Sequence, residues 1–304
     1  METPNPGQEA LIRRSFHLAE TAPVPKLTPL EGGITNNSFR FSHGGQDYIM
    51  REPGRDTETY LNRFQEAEVY KIVSSLGISD EVVALEPETG RKISKFWNSA
   101  RTCDGGKPEE VRACMAALRA LHRMELRAPH DYDLFRMNRI FISFLPETSW
   151  YDDHDEIQKR CMNMEPVLAK YKKYAILSHC DAVPENFLFI DEENGPELRI
   201  IDWEYAGNHD PAIDVSMFCN SAFYDDEALN KLMRCYLEGR EPDPEFRLRV
   251  YGYLALIGLF FSNWAEHVYS PEEDVREYGG LQYHYAREYS REFWELLPEV
   301  TECD

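Results

Sequence analysis

The stretch "LSHCDAVPENFLFI", residues 177–190, sets a polar cluster directly before an apolar run that reads as a strand. Downstream, "FLFI" and "LRIIDW" flank the turn-forming "DEENG", a compact hairpin signature over residues 187–203. Antiparallel strands would bring Asn186, just before the first strand, beside Asp202, at the end of the second. Mg2+ prefers octahedral oxygen coordination and usually takes one or two protein carboxylates plus substrate phosphates. Asn186 with Asp202 therefore suits a metal held against a nucleotide. Asp181 would face the same cleft, where it could orient or deprotonate a hydroxyl nucleophile. His179 reads mainly as an organiser of the loop.

The order H-x-D-x-x-x-x-N, then a hairpin, then D, is the catalytic-loop and metal-loop arrangement of the protein-kinase template. Cys180 stands where Arg is usual, and "DWE" where "DFG" is usual. Both departures point away from protein kinases and toward small-molecule kinases of the same fold. The plainer reading makes His179 a packed core residue, Asp181 a turn cap and Asp202 a surface acid. It accounts poorly for three polar residues at one hairpin, because Asp is depleted from strand ends facing a core unless paired or liganded.

Upstream, "NSFRFSHGGQDYIMREP" reads as strand, Gly-Gly turn, strand, and "NRFQEAEVYKIVSSLGI" as an amphipathic helix closed by Gly77. "EGGITNNSFRF" lies where a strand and turn would cover nucleotide phosphates with backbone N–H groups, which assigns Gly32, Gly33, Asn36 and Asn37 to the nucleotide. Arg51 in "YIMREP" takes the place of the template's phosphate-pairing lysine, and Glu66 on the following helix is its expected partner. "RKISKFW" would be the last strand of this sheet. The polar stretch "NSARTCDGGKPEE", residues 98–110, reads as the joint between domains. Beyond it, "PEEVRACMAALRALHRM" and most later segments have helical spacing. The expected architecture is α+β and two-lobed: a strand-rich nucleotide-binding lobe over residues 1–98 and a mainly helical catalytic and substrate-binding lobe over residues 99–304.

Composition narrows the function classes. A net charge of −21 argues against a nucleic-acid surface, which needs a basic face to release counterions. The longest apolar run, near "YLALIGLFF", is too short for a membrane span, and "METPNPGQEALIRRSF" lacks the pattern of a secretory signal, so a cytoplasmic protein is expected. Seven cysteines without a C-x-x-C pair fit reduced thiols better than a disulfide framework or a zinc knuckle.

With these residues identified, the chain resembles the choline/ethanolamine kinase family, and most closely its bacterial Lic-type choline kinases. The resemblance rests on "GGITNNSF", "MREPG", "NRFQEAE", "KISKFWNSART", "SHCDAVPENFLF" and "IDWEYAGNHDPAIDVSMF", and covers most of the chain. It implies a protein-kinase-like fold, ATP with Mg2+, and transfer of the γ-phosphate to a small amino alcohol. By it, Asp181 is the catalytic base, Asn186 and Asp202 bind metal, and Glu204 helps shape that site. The family's late helix carries two aromatic residues three apart in the choline pocket; the matching "LFFSNWAEH" offers Phe261 and Trp264, with Phe where the family has Trp. Trp150 and Tyr151 in "SWYDD" would add another wall. Aromatic faces attract a quaternary ammonium, which has no N–H to satisfy. An aminoglycoside, a sugar or a methylthio-sugar is the alternative substrate, and a non-catalytic pseudokinase module the alternative outside enzymes. Aromatic walls favour the amino alcohol, an acidic pocket without them the aminoglycoside.

Overall fold

The computed structural model describes residues 1–30, 36–54, 57–146, 148–192, 195–270 and 274–301. Gly32 and Gly33 lie outside the described residues, as do 193–194 of the hairpin turn. The chain divides into two compact units, one of Met1–Thr102 with Leu188–Glu204, the other of Cys103–Phe187 with Tyr205–Asp304.

The first unit is built on a five-stranded sheet. Its members are β1 (Thr28–Pro29), β2 (Asn36–His43), β3 (Gln46–Pro53), β4 (Val82–Glu86) and β5 (Arg91–Lys95), in the spatial order β1-β2-β3-β5-β4. "RKISKFW", expected as the last strand, is last in sequence but lies inside the sheet, with β4 outside it. Strand alternation separates two faces. Met50 and Ile93, paired across β3 and β5, turn to one side and form a buried core with Phe41, Leu27 and, from helix α1 (Pro6–Ser15), Leu11 and Ile12. Each such side chain contributes about 1.5–3 kcal/mol on full burial. The next pair along the same strands, Arg51 and Lys92, turns to the other side. There it meets helix α2 (Arg63–Val73), whose start is set by Asn62 accepting from the N–H groups of Phe64 and Gln65. The helix runs on into a 3-10 turn that ends at Gly77, in the left-handed conformation that glycine adopts without strain.

A three-stranded sheet joins β6 (Ala100–Thr102) to the hairpin strands. The lobe boundary expected at residue 98 thus differs from the observed division on two counts. The first unit runs to Thr102, and it also holds Leu188–Glu204, which the sequence reading put in the helical lobe. The reason is pairing: Ala100, Arg101 and Thr102 sit opposite Ile190, Phe189 and Leu188, and Ile200 bridges to Ser79.

In the second unit, α3 (Pro108–Arg123), α4 (Leu134–Phe144), α5 (His154–Met162) and α6 (Glu165–Leu168) precede β7 (Ile176–Ser178). The chain then enters the loop that carries Asp181 before passing through β8 (Phe187–Glu192) and β9 (Gly195–Ile200). Strand β10 (Gly207–His209) returns to pair antiparallel with β7. Helices α7 (Ala212–Ser221), α8 (Asp226–Tyr236), α9 (Pro244–Val268) and α10 (Arg276–Thr301) complete the unit. The 25-residue α9 is its centre, packed by α4, α5, α7 and α10. Gly258 lets α9 and α10 touch, since a Cβ there would stand 2.6 Å from the Gln282 carbonyl. Asp210 ties α7 to α9 by capping the Ala212 N–H and accepting from Arg249 (2.7 Å) and the Tyr253 hydroxyl (3.1 Å).

Candidate active site

In the first unit a buried ionic cluster surrounds Arg51. Its guanidinium grips Glu66 with two bonds, Nη1–Oε1 at 2.6 Å and Nη2–Oε2 at 2.8 Å, the planar fork-to-fork geometry that favours Arg over Lys. Glu68, the other acid of this turn of α2, is 45% exposed and pairs with Lys71. Arg51 also reaches Glu204 (3.3 Å) and Asp202 (3.6 Å). Arg63, a residue to which the sequence reading gave no role, bonds Glu204 at 2.5 Å and Glu66 at 3.1 Å. Asn36 closes the ring, its Nδ2 donating to both Glu204 oxygens and its Oδ1 accepting from Arg63. Asn37, the next residue, is exposed on β2 opposite Glu52.

The electrostatics of this cluster leave room for a cation. Burial penalises charge on Glu66, but Arg51, Lys92 and Arg63 outweigh it and the pKa is lowered. Burial also penalises Arg51, which Glu66, Glu204 and Asp202 overcompensate, so it stays charged. Glu204 differs. Burial and the Asp202 charge push its carboxyl up, and the two arginines offset this only in part. Ligand oxygens of Glu66, Asp202 and Glu204 lie within 4.8 Å of one another. Asp202 is the open member, with 34% of its side chain exposed. Its backbone is left-handed (φ 64°), a conformation costly for a residue with a Cβ and concentrated at functional sites. These donors fit an oxygen-loving divalent ion at Asp202, with Glu204 behind it.

In the second unit the loop after β7 is held from beneath. Asp214 on α7 is fully buried and accepts from the backbone N–H of His179 (2.9 Å) and of Cys180 (2.7 Å). His122 on α3 bonds the same carboxylate at 2.9 Å and the Tyr236 hydroxyl at 2.8 Å. Cys180 takes a left-handed backbone (φ 62°), so the chain turns sharply just before Asp181. Asn186 then donates to the Asp181 carbonyl (2.8 Å) and to its carboxylate (3.0 Å), which fixes that side chain. His179 is fully buried. Asp214 and His122 were not assigned from the sequence. The legible signal was an Asp inside the otherwise apolar "AIDVSMF".

Burial disfavours the Asp214 charge, but His122 and the His179 side chain and N–H outweigh it, and the pKa is lowered. The stability this provides is complete above the ordinary Asp value of 3.8 and is lost as pH falls through the lower folded value. Asp214→Ala strands two buried N–H groups and His122, and is expected to cost about 3–5 kcal/mol. Urea unfolding at neutral pH measures it; an unchanged midpoint would contradict the anchoring role.

The aromatic residues fall into two groups. Phe261 and Trp264, on one face of α9, meet edge-on at Tyr278 of α10, with centroids 6.2 and 6.0 Å away. Burial, and after it the Asp181 charge, raise the Tyr278 pKa. Trp150 and Tyr151 turn elsewhere: Trp150 packs on Tyr269, and Tyr151 stacks on Tyr283 at 3.8 Å. Between them the buried Glu266 accepts from Ser149 and from the Trp150 N–H. Tyr278 was missed from the sequence because it lies outside the residue pair that carries the resemblance.

The choline/ethanolamine kinase family model matches residues 27–246, which span every polar residue of both clusters. The chain belongs to the choline/ethanolamine kinase family. Among curated relatives, LicA of Haemophilus influenzae is 26% identical over 231 residues, 73% of this chain and 65% of that protein, so the match spans just under two thirds of the relative's length. Among solved structures, a choline/ethanolamine kinase family protein from Mesorhizobium loti aligns with a TM-score of 0.76 at 27% identity, covering 96% of this chain and 97% of that one. The choline kinase LicA from Streptococcus pneumoniae gives a TM-score of 0.76 at 22% identity, with 94% and 99% covered. The fold is kinase-like, with a strand-rich first unit and a mainly helical second. Among the described residues, no helix is long and apolar enough to cross a membrane.

Proposed function

We propose that the protein is an ATP-dependent kinase that transfers the γ-phosphate to the hydroxyl of choline or ethanolamine. The observation that carries this reading is the meeting of Phe261 and Trp264 at Tyr278, in the unit that also holds Asp181, in a chain of the choline/ethanolamine kinase family. Arg51, held by Glu66, would bind nucleotide phosphate with Asn36 on the same face of the sheet; Asn37, next along β2, turns to the opposite face with Glu52, and Gly32 and Gly33, outside the described residues, keep the nucleotide role expected from the sequence. Asp202, Glu204 and Asn186 would hold Mg2+, which when bound neutralises charge on the transferring phosphate. Donation from Asn186 Nδ2 to Asp181 leaves Asn186 Oδ1 as the atom able to face a cation. Asp181 would accept the substrate hydroxyl proton, held by Asn186 at its side and by the Asp214-anchored loop beneath. His179 serves that loop. Trp264 and Phe261 would bind the ammonium group, and Trp150 and Tyr151 support α10 from their own cluster. A cytoplasmic location completes the reading.

The test is a pair of substitutions at Trp264. Trp264→Ala should raise the KM for choline with little change in the KM for ATP, by about 1–2 kcal/mol or roughly five- to thirtyfold. Trp264→Leu restores apolar burial without the ring face and should recover little of that loss. Wild-type choline KM in Trp264→Leu would remove the cation–π role.

A further inference from the structure

Next to the Arg51 cluster lies a second buried polar group that the phosphotransfer reading does not use. Lys92, Tyr70 and Asp80 are 6%, 4% and 5% exposed. The Lys92 ammonium donates to the Tyr70 hydroxyl at 2.6 Å and pairs with Asp80 at 3.1 Å, while the Tyr70 hydroxyl donates to Asp80 at 2.8 Å. The tyrosine is held as the neutral phenol: burial, then the charges of Asp80, Glu66 and Asp202, raise its pKa well above the ordinary value.

Its placement gives the group a purpose. Lys92 is the cross-strand partner of Arg51, so the two side chains leave the same face of the sheet on neighbouring strands. Tyr70 lies four residues after Glu66, on the same face of α2. Arg63 fastens the first turn of α2 to Asn36 and Glu204, and beyond it Arg51 grips Glu66 and Lys92 grips Tyr70, two further points one turn apart. Without the Tyr70 contact the polar anchors of α2 would be confined to its first turn, at Arg63 and Glu66, and the helix could roll enough to misalign the Glu66 carboxylate on Arg51. The contact one turn further on fixes that roll. Asp80, beyond the helix in the chain that leads to β4, closes the second point. A buried ion pair is weak grounds for stability, because desolvation consumes most of its Coulomb gain. Positional definition is the better account of a lysine and an aspartate kept out of water here.

We infer that Lys92, Tyr70 and Asp80 are positioning residues that set nucleotide affinity by locking α2 so that Glu66 orients Arg51. This rests on the proposal that Arg51 binds nucleotide phosphate. Tyr70→Phe is the sharpest probe, since it removes one oxygen, leaves Lys92 and Asp80 paired directly, and releases the second polar anchor of the helix. The expected result is a rise of about three- to tenfold in the KM for ATP and in the ADP dissociation constant by calorimetry, with kcat and the choline KM within about twofold. Lys92→Met combined with Asp80→Asn, which removes both charges together, should give the same split. A merely structural role would lower the melting temperature or the active fraction and leave the ATP KM at the wild-type value; that outcome in both variants overturns the inference. Arg51→Met separates the two levels. If it leaves ADP binding unchanged, the nucleotide reading itself fails. If it weakens ADP binding while Tyr70→Phe does not, only the locking role fails.

Discussion

Asp202→Ala is expected to abolish ATP turnover while leaving the fold intact. The carboxylate is the open member of the acidic group, with 34% of its side chain exposed. Arg51 loses only its 3.6 Å partner and keeps Glu66 and Glu204, so no uncompensated buried charge is left behind. The left-handed backbone at this position costs Ala about 1–2 kcal/mol, which a melting curve registers and a folded domain tolerates. With the carboxylate gone, no other member of the cluster among the described residues is both anionic and exposed, since Arg63 and Arg51 engage the buried Glu66 and Glu204. Mg2+-dependent ADP release at the wild-type rate in the folded variant would remove Asp202 from the metal site.

Asp181→Asn addresses the proton. Asn has nearly the shape of Asp and keeps an oxygen able to accept from Asn186, so the loop geometry held by Asp214 should persist. What it lacks is the capacity to accept the hydroxyl proton. The expected fall in kcat is at least about 10²-fold, typical of losing a general base, with ATP affinity retained because Arg51 and Glu66 are untouched. Single-turnover measurements isolate the chemical step, and an unchanged rate there would take Asp181 out of the mechanism.

What the sequence could convey about this molecule divides by distance along the chain. The loop 177–190, the hairpin after it and α2 with its Gly77 stop were legible because their signals are local: spacing, turn residues and helical period. The Arg51–Glu66 pair was within reach because strand and helix are neighbours in sequence. Arg63–Glu204 and Asn36–Glu204 were not, since they join residues 141 and 168 positions apart and no periodicity records such a meeting. The same holds for His122 beneath Asp214, 92 residues away. The hairpin was recognised but assigned to the other lobe, because strand pairing with residues 100–102 is a tertiary choice that its own sequence does not encode. Which rings meet was not legible: Phe261 and Trp264 meet at Tyr278, whereas Trp150 and Tyr151, equally aromatic, pack around Glu266. Ring content marks a candidate wall, and only packing decides which rings share it.

The central claim is phosphate transfer from ATP to a small amino alcohol. Its most direct test is ADP release by the purified protein with Mg2+, offered choline, ethanolamine, kanamycin or methylthioribose in parallel, with the phosphorylated product identified by mass. The account predicts ADP formed in step with phosphocholine or phosphoethanolamine and lost on chelation of Mg2+. Release confined to kanamycin or methylthioribose, or none with any of the four, would contradict it.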